Sequence, residues 1–161
     1  MSDCDLVYRL VNVTFSDDFY SLWNDNEVIK YTAVRENLSF EDTEKKLMDW
    51  IGETVFVVLK NNEFIGVIGC PSVNKENRGY GFFYQFKRSE WGKGYASEAA
   101  NWVLVYMKRY YAPCTLYADV VTNNIASDKI LKHLKFNFIA ESEENIKENI
   151  MTIKHYKLNI K

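Results

Sequence analysis

Gly92 and Gly94, with Lys93 between them, are the residues whose types and spacing point most directly to chemistry. They follow a strand-like run rich in aromatic residues and open the longest helical pattern of the chain, residues 94–110. The N-terminus of a helix carries unpaired N–H groups and the positive end of the helix dipole, and glycine lets an anion approach the backbone. The spacing therefore predicts a phosphate-binding turn with Lys93 as an added cation; a plain strand-to-helix turn is the alternative.

Several other kinds of site are excluded by residue type and spacing. The glycines fit neither GxxxxGK[ST] nor GxGxxG, the two best-known nucleotide loops. The three cysteines, Cys4, Cys70 and Cys114, are scattered without a CxxC pair, and the chain has two histidines. This pattern predicts packing cysteines and no metal site. Twenty Lys and Arg against 22 Asp and Glu give a net charge of −2, which predicts no nucleic-acid and no membrane partner.

Length and composition predict a single domain, residues 1–161, with a substantial core. Of the 161 residues, 47% are hydrophobic and 16% aromatic, which excludes intrinsic disorder. The longest apolar runs, such as residues 54–59, have the length of a strand and are too short to span a membrane. The N-terminus is acidic where a signal peptide is basic, which predicts a cytoplasmic protein.

Hydrophobic periodicity sets the glycine turn within an alternation of strands and helices. Strands are predicted over residues 6–13, 54–60, 63–73, 79–86, 115–121, 136–141 and 150–160. Helices are predicted over residues 14–23, 39–52, 94–110 and 124–134, with an irregular segment at 24–38 and a polar loop at 142–149. Strand–helix–strand units centre on the last two helices, whereas the middle strands are joined as hairpins. This order predicts a mixed α/β sheet with helices on both faces.

Two motifs resemble the GNAT superfamily of N-acetyltransferases. The run Trp91-Gly-Lys-Gly-Tyr-Ala-Ser-Glu-Ala99 is similar to the acetyl-CoA loop of that superfamily, Gln/Arg-x-x-Gly-x-Gly/Ala. Trp91 departs from the general pattern but is usual in the RimJ/RimL-like branch, which reads WGKGYA[ST]EA. Asn124-Ile-Ala-Ser127 and its helix resemble the N-x-x-S of that branch, although His133 and Lys135 replace its lysine and glycine. The resemblance covers essentially the whole chain, because the order of the elements is also that of this fold.

The resemblance implies a fold and a co-substrate. The fold is a GNAT-like α/β (α+β) fold, with a mixed, mostly antiparallel central sheet of about six to seven strands flanked by helices on both faces. The co-substrate is acetyl-CoA, with its pyrophosphate on the amides of the glycine loop and its pantetheine arm paired with the backbone of the preceding strand. The implied binding residues are Tyr84, Gln85, Phe86, Trp91, Gly92, Lys93, Gly94, Tyr95, Ala96, Asn124 and Ser127.

The same resemblance suggests candidates for the proton transfers. Many members donate a proton to the leaving thiolate from a tyrosine at the position of Leu131, and leucine has no proton to give. In RimL-like enzymes the serine of N-x-x-S takes that role, so Ser127 is the candidate acid, with a hydroxyl bonded to the backbone as the alternative. Asp119 is a weak candidate for the base, with an exposed strand position as its alternative. Glu98 is assigned to the start of its helix.

The implied function is transfer of the acetyl group of acetyl-CoA to a primary amine by direct attack in a ternary complex. The acceptor is a protein N-terminus or a small-molecule amine, and the protein is a monomer or a homodimer. Acceptor selectivity is expected from residues 24–38 and from the acidic segment 142–149, where glutamates would suit a cationic amine. The alternative is a non-catalytic CoA-binding or regulatory module, which Leu131, His133 and Lys135 favour.

Overall fold

The computed structural model describes residues 5–161, which form nine strands and five helices. The strands are β1 Leu6–Leu10, β2 Val55–Lys60, β3 Glu63–Gly69, β4 Ser72–Asn74, β5 Gly79–Gly81, β6 Phe83–Phe86, β7 Cys114–Val121, β8 Asn137–Ile146 and β9 Asn149–Ile160. The helices are α1 Ser16–Trp23, α2 Asn26–Ile29, α3 Phe40–Met48, α4 Tyr95–Tyr111 and α5 Ile125–His133. Short 3₁₀ turns lie at Val13–Phe15 and Arg88–Glu90.

The strands form two sheets, and their pairing confirms the predicted mixed, mostly antiparallel arrangement. The first sheet has the order β1-β2-β3-β6 and is antiparallel throughout. The second has the order β4-β5-β7-β9-β8, in which only β5 and β7 are parallel. The described residues thus contain nine strands where the sequence predicts about six to seven, because two predicted strands each divide between the sheets.

Phe82 marks the point where the chain passes from one sheet to the other. Its N–H donates to the Tyr117 carbonyl of β7 at 2.7 Å, which extends the pairing of β5 with β7. The next residues turn away to form β6, which pairs with β3 instead. Gly66 of β3 permits this pairing, because a Cβ there would lie 2.5 Å from the Gln85 carbonyl oxygen. Strands β6 and β7 therefore diverge and leave a gap between the two sheets.

Two clusters of buried apolar side chains pack the helices against the sheets. The cluster under α4 and α5 includes Phe56, Met107 and Leu116. The cluster under α1 and α3 includes Trp23 and Leu47, together with the alternate residues of β2. Because successive side chains of a strand point to opposite faces, the first sheet contributes side chains to both clusters. Helices therefore cover both faces, as predicted.

The polar segment 142–149 is not a loop, and this prediction is wrong. Strands β8 and β9 continue through it and meet at a two-residue turn, Lys147 and Glu148, with φ values of 49° and 68°. Positive φ at both central residues is the conformation of a type I′ hairpin turn. Strand β8 is exposed along most of its length, so its ladder needs no alternation of apolar residues, and periodicity does not reveal it.

Smaller differences lie at the ends of elements. The first strand ends at Leu10 rather than at residue 13, and α3 ends at Met48 rather than at residue 52. Cys70 and Cys114 are buried and free, as packing cysteines should be, whereas Cys4 lies outside the described residues. Among residues 5–161, no helix has both the length and the apolar character needed to cross a membrane.

Candidate functional site

A cleft of about 780 Å³ occupies the gap between β6 and β7. One part of its lining comes from β6, the glycine loop and the first turns of α4 and α5. Another part comes from β7 and from the segment around α2 on the opposite face of the sheet. Because the two strands diverge, elements from both faces of the sheet line the same cavity.

The glycine loop has a backbone that only glycine adopts readily. Gly92 and Gly94 have φ values of 75° and 84°, in the left-handed region. Gly94 is the N-cap of α4, no side chain caps the helix, and a Cβ at either glycine would meet nothing within 4 Å. The first N–H groups of α4 therefore face open space, which is the arrangement that binds an anion.

Trp91 fastens this loop to the end of β6. Its indole N–H donates to the Phe86 carbonyl at 2.9 Å, although the residue as a whole is 49% exposed. Residues 83, 85 and 87 turn their backbone groups toward β3, so Tyr84 and Phe86 face the gap. With the Phe86 carbonyl occupied, the backbone of Tyr84 is left for pairing with a ligand. The tryptophan that departs from the general superfamily pattern thus has a local structural role.

The cations beside the loop are partly neutralised by Glu90. Lys93 Nζ lies 3.2 Å and Lys60 Nζ 3.4 Å from the same carboxylate oxygen, Glu90 Oε2. Burial by itself would raise the pKa of Glu90, but the hydrogen bonds from Lys93 and Lys60 outweigh it and lower that pKa. Lys93, Lys60 and Glu90 together carry one net positive charge, so the cation that Lys93 adds beside the loop is partly neutralised by Glu90.

The side chains of β6 point to opposite faces of the sheet. Gln85 accepts a hydrogen bond from the Trp23 indole N–H at 2.8 Å, which joins β6 to α1. Tyr84 points toward α5, where its hydroxyl oxygen lies 2.8 Å from Ser127 Oγ. Burial raises the pKa of Tyr84, and the hydrogen bond with Ser127 partly offsets that effect. Sequence reasoning assigned Tyr84 a backbone role and missed this hydroxyl pair, whose members are 43 residues apart.

The start of α5 positions Ser127 within the cleft. Asn124 is the N-cap of the helix and accepts the Ser127 N–H at 3.3 Å, so the backbone of Ser127 is fixed. Its hydroxyl bonds to Tyr84, whereas the alternative prediction for this residue is a hydroxyl bonded to the backbone. Leu131, one turn further along, is 3% exposed and packs in the core.

Asp128, next to Ser127, anchors α5 to the sheet. It accepts a hydrogen bond from the Tyr156 hydroxyl and forms ion pairs with Lys132 and Lys154. Burial alone would raise the pKa of Asp128, but the hydrogen bonds from Lys132 and Tyr156, with both lysine charges, lower it. The helix that carries Ser127 is thus held against β9.

Asp119 lines the cleft from β7, with its side chain 66% exposed. Its carboxylate oxygen lies 2.6 Å from Nδ1 of His155 on β9. His155 was not among the predicted site residues. The only available signal was its residue type, because Asp119 and His155 are 36 positions apart in the sequence.

The segment around α2 closes the cleft on the face opposite α4 and α5. Glu27, Tyr31 and Thr32 are among its lining residues. Lys147, from the β8–β9 turn, donates to the Ile29 carbonyl at 2.8 Å and to that of Val34 at 3.0 Å. Burial lowers the pKa of Lys147. The two segments expected to govern acceptor choice are therefore joined.

The glutamates predicted to flank the acceptor have a more distant position. Within residues 5–161, none of the hairpin residues 141–148 contributes to the lining of the cleft. Glu144 is connected to the cleft indirectly, since it contacts Ser142 and His155, which in turn contacts Asp119. The segment 24–38 borders the cleft directly. The hairpin contacts that segment through Lys147 and reaches Asp119 through His155.

Comparison with known proteins identifies the class of this site. Residues 6–137 match the family model described as an acetyltransferase (GNAT) domain. The "Uncharacterized N-acetyltransferase p20" of Bacillus licheniformis is 27% identical over 140 residues, which span 81% of this chain and 78% of that protein.

Solved structures show the same fold. The spermidine N-acetyltransferase of Vibrio cholerae, in complex with CoA and spermine, superposes with a TM-score of 0.86 at 20% identity and covers 96% of this chain and 95% of its own. RimL, an acetyltransferase of ribosomal protein L7/L12 in complex with CoA, gives a TM-score of 0.84 at 17% identity, with coverages of 96% and 94%.

Proposed function

Because the chain belongs to the GNAT family of acetyltransferases and is an acetyl-CoA-dependent acyltransferase, we propose that it acetylates a primary amine by direct attack in a ternary complex. The observation that carries this proposal is the single cleft between β6 and β7. Its lining joins an uncapped helix N-terminus to a separate set of side chains on the other face of the sheet. Such a cleft can hold acetyl-CoA and the acceptor amine at the same time, as direct attack requires.

The residues of the glycine loop fit the phosphates of acetyl-CoA. The N–H groups at the start of α4 are uncapped, both glycines leave open space, and Lys93 and Lys60 lie beside the loop. The register of β6 with β3 turns the backbone of Gln85 toward β3 and that of Tyr84 toward the gap, where it can pair with the pantetheine arm. Gln85, Asn124 and Ser127 border the same cleft. Acetyl-CoA supplies the thioester carbonyl that the amine attacks.

Ser127, oriented by Tyr84, is the proposed proton donor to the departing sulfur. A hydroxyl has one proton to donate and can accept a hydrogen bond as well. If Tyr84 donates to Ser127, the proton of Ser127 is free to point elsewhere, and the sulfur of CoA is the group that needs it. Tyr84 is then a positioning residue, and the pair takes over the role that Leu131 cannot fill.

The three departures that favour a non-catalytic module lie in α5 or just after it. Leu131 fills the core, and the exposed His133 lies at the last turn of α5. Lys135 has a φ of 70°, which explains why the related branch has glycine at this position. The match to the acetyltransferase family and the Tyr84–Ser127 hydroxyl pair in the cleft favour enzymatic activity over a non-catalytic module.

The acceptor class is a primary amine, either a protein N-terminus or a small-molecule amine. The relatives support this range, since one is named for spermidine and another for the N-terminus of ribosomal protein L7/L12. The lining includes Lys30 and Lys129 as well as carboxylates, and the carboxylates of Glu27 and Asp119 are the groups that would attract a cationic amine.

The test is a thiol-release assay with acetyl-CoA and a panel of spermidine, spermine, N-terminal peptides and amino acids. We expect release of free CoA that depends on one class of amine, with the acetylated product identified by mass spectrometry. Binding of CoA without turnover on any amine would support a non-catalytic module instead. A protein that gains no thermal stability from CoA would contradict both readings, because ligand at 100 times its Kd adds about 2.7 kcal/mol.

A further inference from the structure

Four polar side chains form a continuous row across three adjacent strands, starting at the cleft. Asp119 Oδ1 on β7 lies 2.6 Å from His155 Nδ1 on β9, and His155 Nε2 lies 2.7 Å from Ser142 Oγ on β8. Ser142 Oγ in turn donates to Glu144 Oε2 at 2.9 Å. The row leads from the cleft lining to the surface of the β8–β9 hairpin.

Strand register places this row on the face of the sheet opposite α5. Asp119 pairs with His155, and Ser142 pairs with Ile153, two residues before His155 and so on the same face. The neighbours of His155, Lys154 and Tyr156, point the other way and contact Asp128 of α5. The row therefore reaches the cleft from the face of the sheet opposite α5, whereas Ser127 approaches the cleft from the α5 side.

A count of protons shows that the row is built to take up one more. Its three hydrogen bonds need one proton each. With both carboxylates ionised, the neutral imidazole supplies one proton and the Ser142 hydroxyl another, so one bond lacks a proton. An imidazolium fills all three bonds: Nδ1–H donates to Asp119, Nε2–H donates to Ser142, and the Ser142 hydroxyl donates to Glu144.

We propose that the row Asp119–His155–Ser142–Glu144 accepts the proton that a cationic acceptor amine must lose before attack. This inference rests on the proposed function. Asp119 is the member that touches the acceptor, because it alone of the four lines the cleft. His155 is the positioning and proton-holding residue behind it, and Ser142 with Glu144 fills the remaining bonds. Nothing in the sequence motifs points to His155, Ser142 or Glu144 in this role.

The reaction balances with this proton. The ammonium R–NH₃⁺ gives one proton to the row and becomes R–NH₂, whose lone pair forms the C–N bond with the thioester carbon. As the C–S bond breaks, the sulfur takes its electron pair and the proton offered by Ser127, and a second proton leaves the nitrogen to restore that hydroxyl. The products are the amide and CoA thiol, and the row returns its proton to solvent, so each turnover releases one proton.

The kinetic test compares His155→Gln with His133→Gln, the matched change at the other histidine, which is exposed at the end of α5. Glutamine keeps hydrogen-bonding groups but holds no additional proton. Each variant is assayed with the best amine of the panel and with hydroxylamine, a weakly basic nucleophile that is uncharged at the assay pH. We expect His155→Gln to lose roughly 100-fold in kcat with the cationic amine, the size of a general-base effect, and about threefold or less with hydroxylamine.

An equal loss with both nucleophiles would overturn the proposal, because a structural role of His155 does not distinguish a charged amine from a neutral one. No loss with either nucleophile would overturn it as well. Ser142→Ala is the milder companion variant, and we expect it to show the same dependence on the charge of the nucleophile, with a loss of about tenfold in kcat. His133→Gln should match the wild type with both nucleophiles.

A second measurement keeps the row testable without any acceptor. Imidazole ¹⁵N resonances of the protein alone, followed against pH, report whether His155 takes up a proton with both nitrogens hydrogen-bonded. The charged groups that face it are Asp119 of β7, Glu144 of β8 and Lys157, two residues along the same face of β9. We expect Asp119→Asn to perturb Nδ1 and Ser142→Ala to perturb Nε2; resonances unchanged by both would contradict the row even where acetylation occurs. Failure of all amines in the assay would instead contradict the proposed function.

Discussion

The two ends of the cleft are built in opposite ways. The end at α4 is made of backbone from consecutive residues, Gly92 to Ala96, whose amides are exposed because two glycines adopt positive φ. The end at α2 is lined by side chains from separate elements, among them Glu27 and Asp119, and Lys147 and His155 support it from outside the lining. A backbone site depends on local conformation, whereas a side-chain site depends on how distant strands are aligned. Single substitutions should therefore have different consequences at the two ends.

The largest effect is expected from Gly94→Val, which should abolish CoA binding. A branched side chain is strained at φ 84° and would occupy the open space in front of the first amides of α4. We expect a loss of more than roughly 100-fold in CoA affinity, or about 2.7 kcal/mol, by calorimetry.

Gly52→Val is the matched control for that change. Gly52 has a φ of 87° and open space around it, but it lies outside the cleft lining. Both variants should lose similar stability, and only Gly94→Val should lose CoA affinity. Equal affinity in the two variants would show that the glycine turn is only a turn.

The next largest effect is expected from changes to the Tyr84–Ser127 hydroxyl pair, which lies between the two ends of the cleft. Ser127→Ala should lower kcat by roughly 100-fold with little change in the Kd of CoA, because it removes the proposed proton donor. Tyr84→Phe keeps the packing but removes the orienting hydroxyl, and we expect a loss of about tenfold. Tyr20→Phe, at an exposed tyrosine of α1, is the control. A kcat that Ser127→Ala leaves unchanged removes this serine from the mechanism.

Lys147→Met tests the end of the cleft at α2 without changing the glycine loop. Methionine retains an apolar stem but cannot donate to the Ile29 and Val34 carbonyls, so the segment around α2 loses its tie to the hairpin. We expect the KM of the amine to rise about fivefold, corresponding to roughly 1 kcal/mol, while the Kd of CoA stays the same. Lys75→Met, at an exposed lysine between β4 and β5, should leave both constants unchanged. A matching loss of CoA affinity would show that the two ends are not independent.

The smallest effect concerns the anchor of α5 and appears in stability rather than in activity. The pKa of Asp128 is lowered from its ordinary value of 3.8, so its contribution is present above that value and is lost as pH falls through the lower folded-state pKa. Asp128→Asn should therefore unfold more easily at neutral pH, by about 1 kcal/mol, and the difference from wild type should shrink in acid. Urea titrations at several pH values measure this, with the exposed Asp17→Asn as the control. A difference that does not depend on pH would show that the carboxylate charge is not involved.

Local patterns predicted most of the fold and only part of the site. The long helix beginning at the glycine turn, the N-cap at Asn124 and the helices on both faces follow from periodicity and capping. Periodicity failed for residues 142–149, because β8 is exposed on most of its length and shows no apolar alternation. It also failed at Phe82, where the strand divides, since the hydrogen bond that divides it is made by Tyr117, far along the chain.

The sequence by itself determined the glycine turn, the helix that it opens and the resemblance to acetyltransferases, because conformation at positive φ and helix capping depend on neighbouring residues. Only the tertiary structure decided that Tyr84 meets Ser127 and that His155 stands between Asp119 and Ser142. Those contacts depend on which strands pair, in what register and on which face. A shift of one residue would turn these side chains to the other face of the sheet, so strand pairing, rather than any local motif, sets which side chains meet beside the cleft.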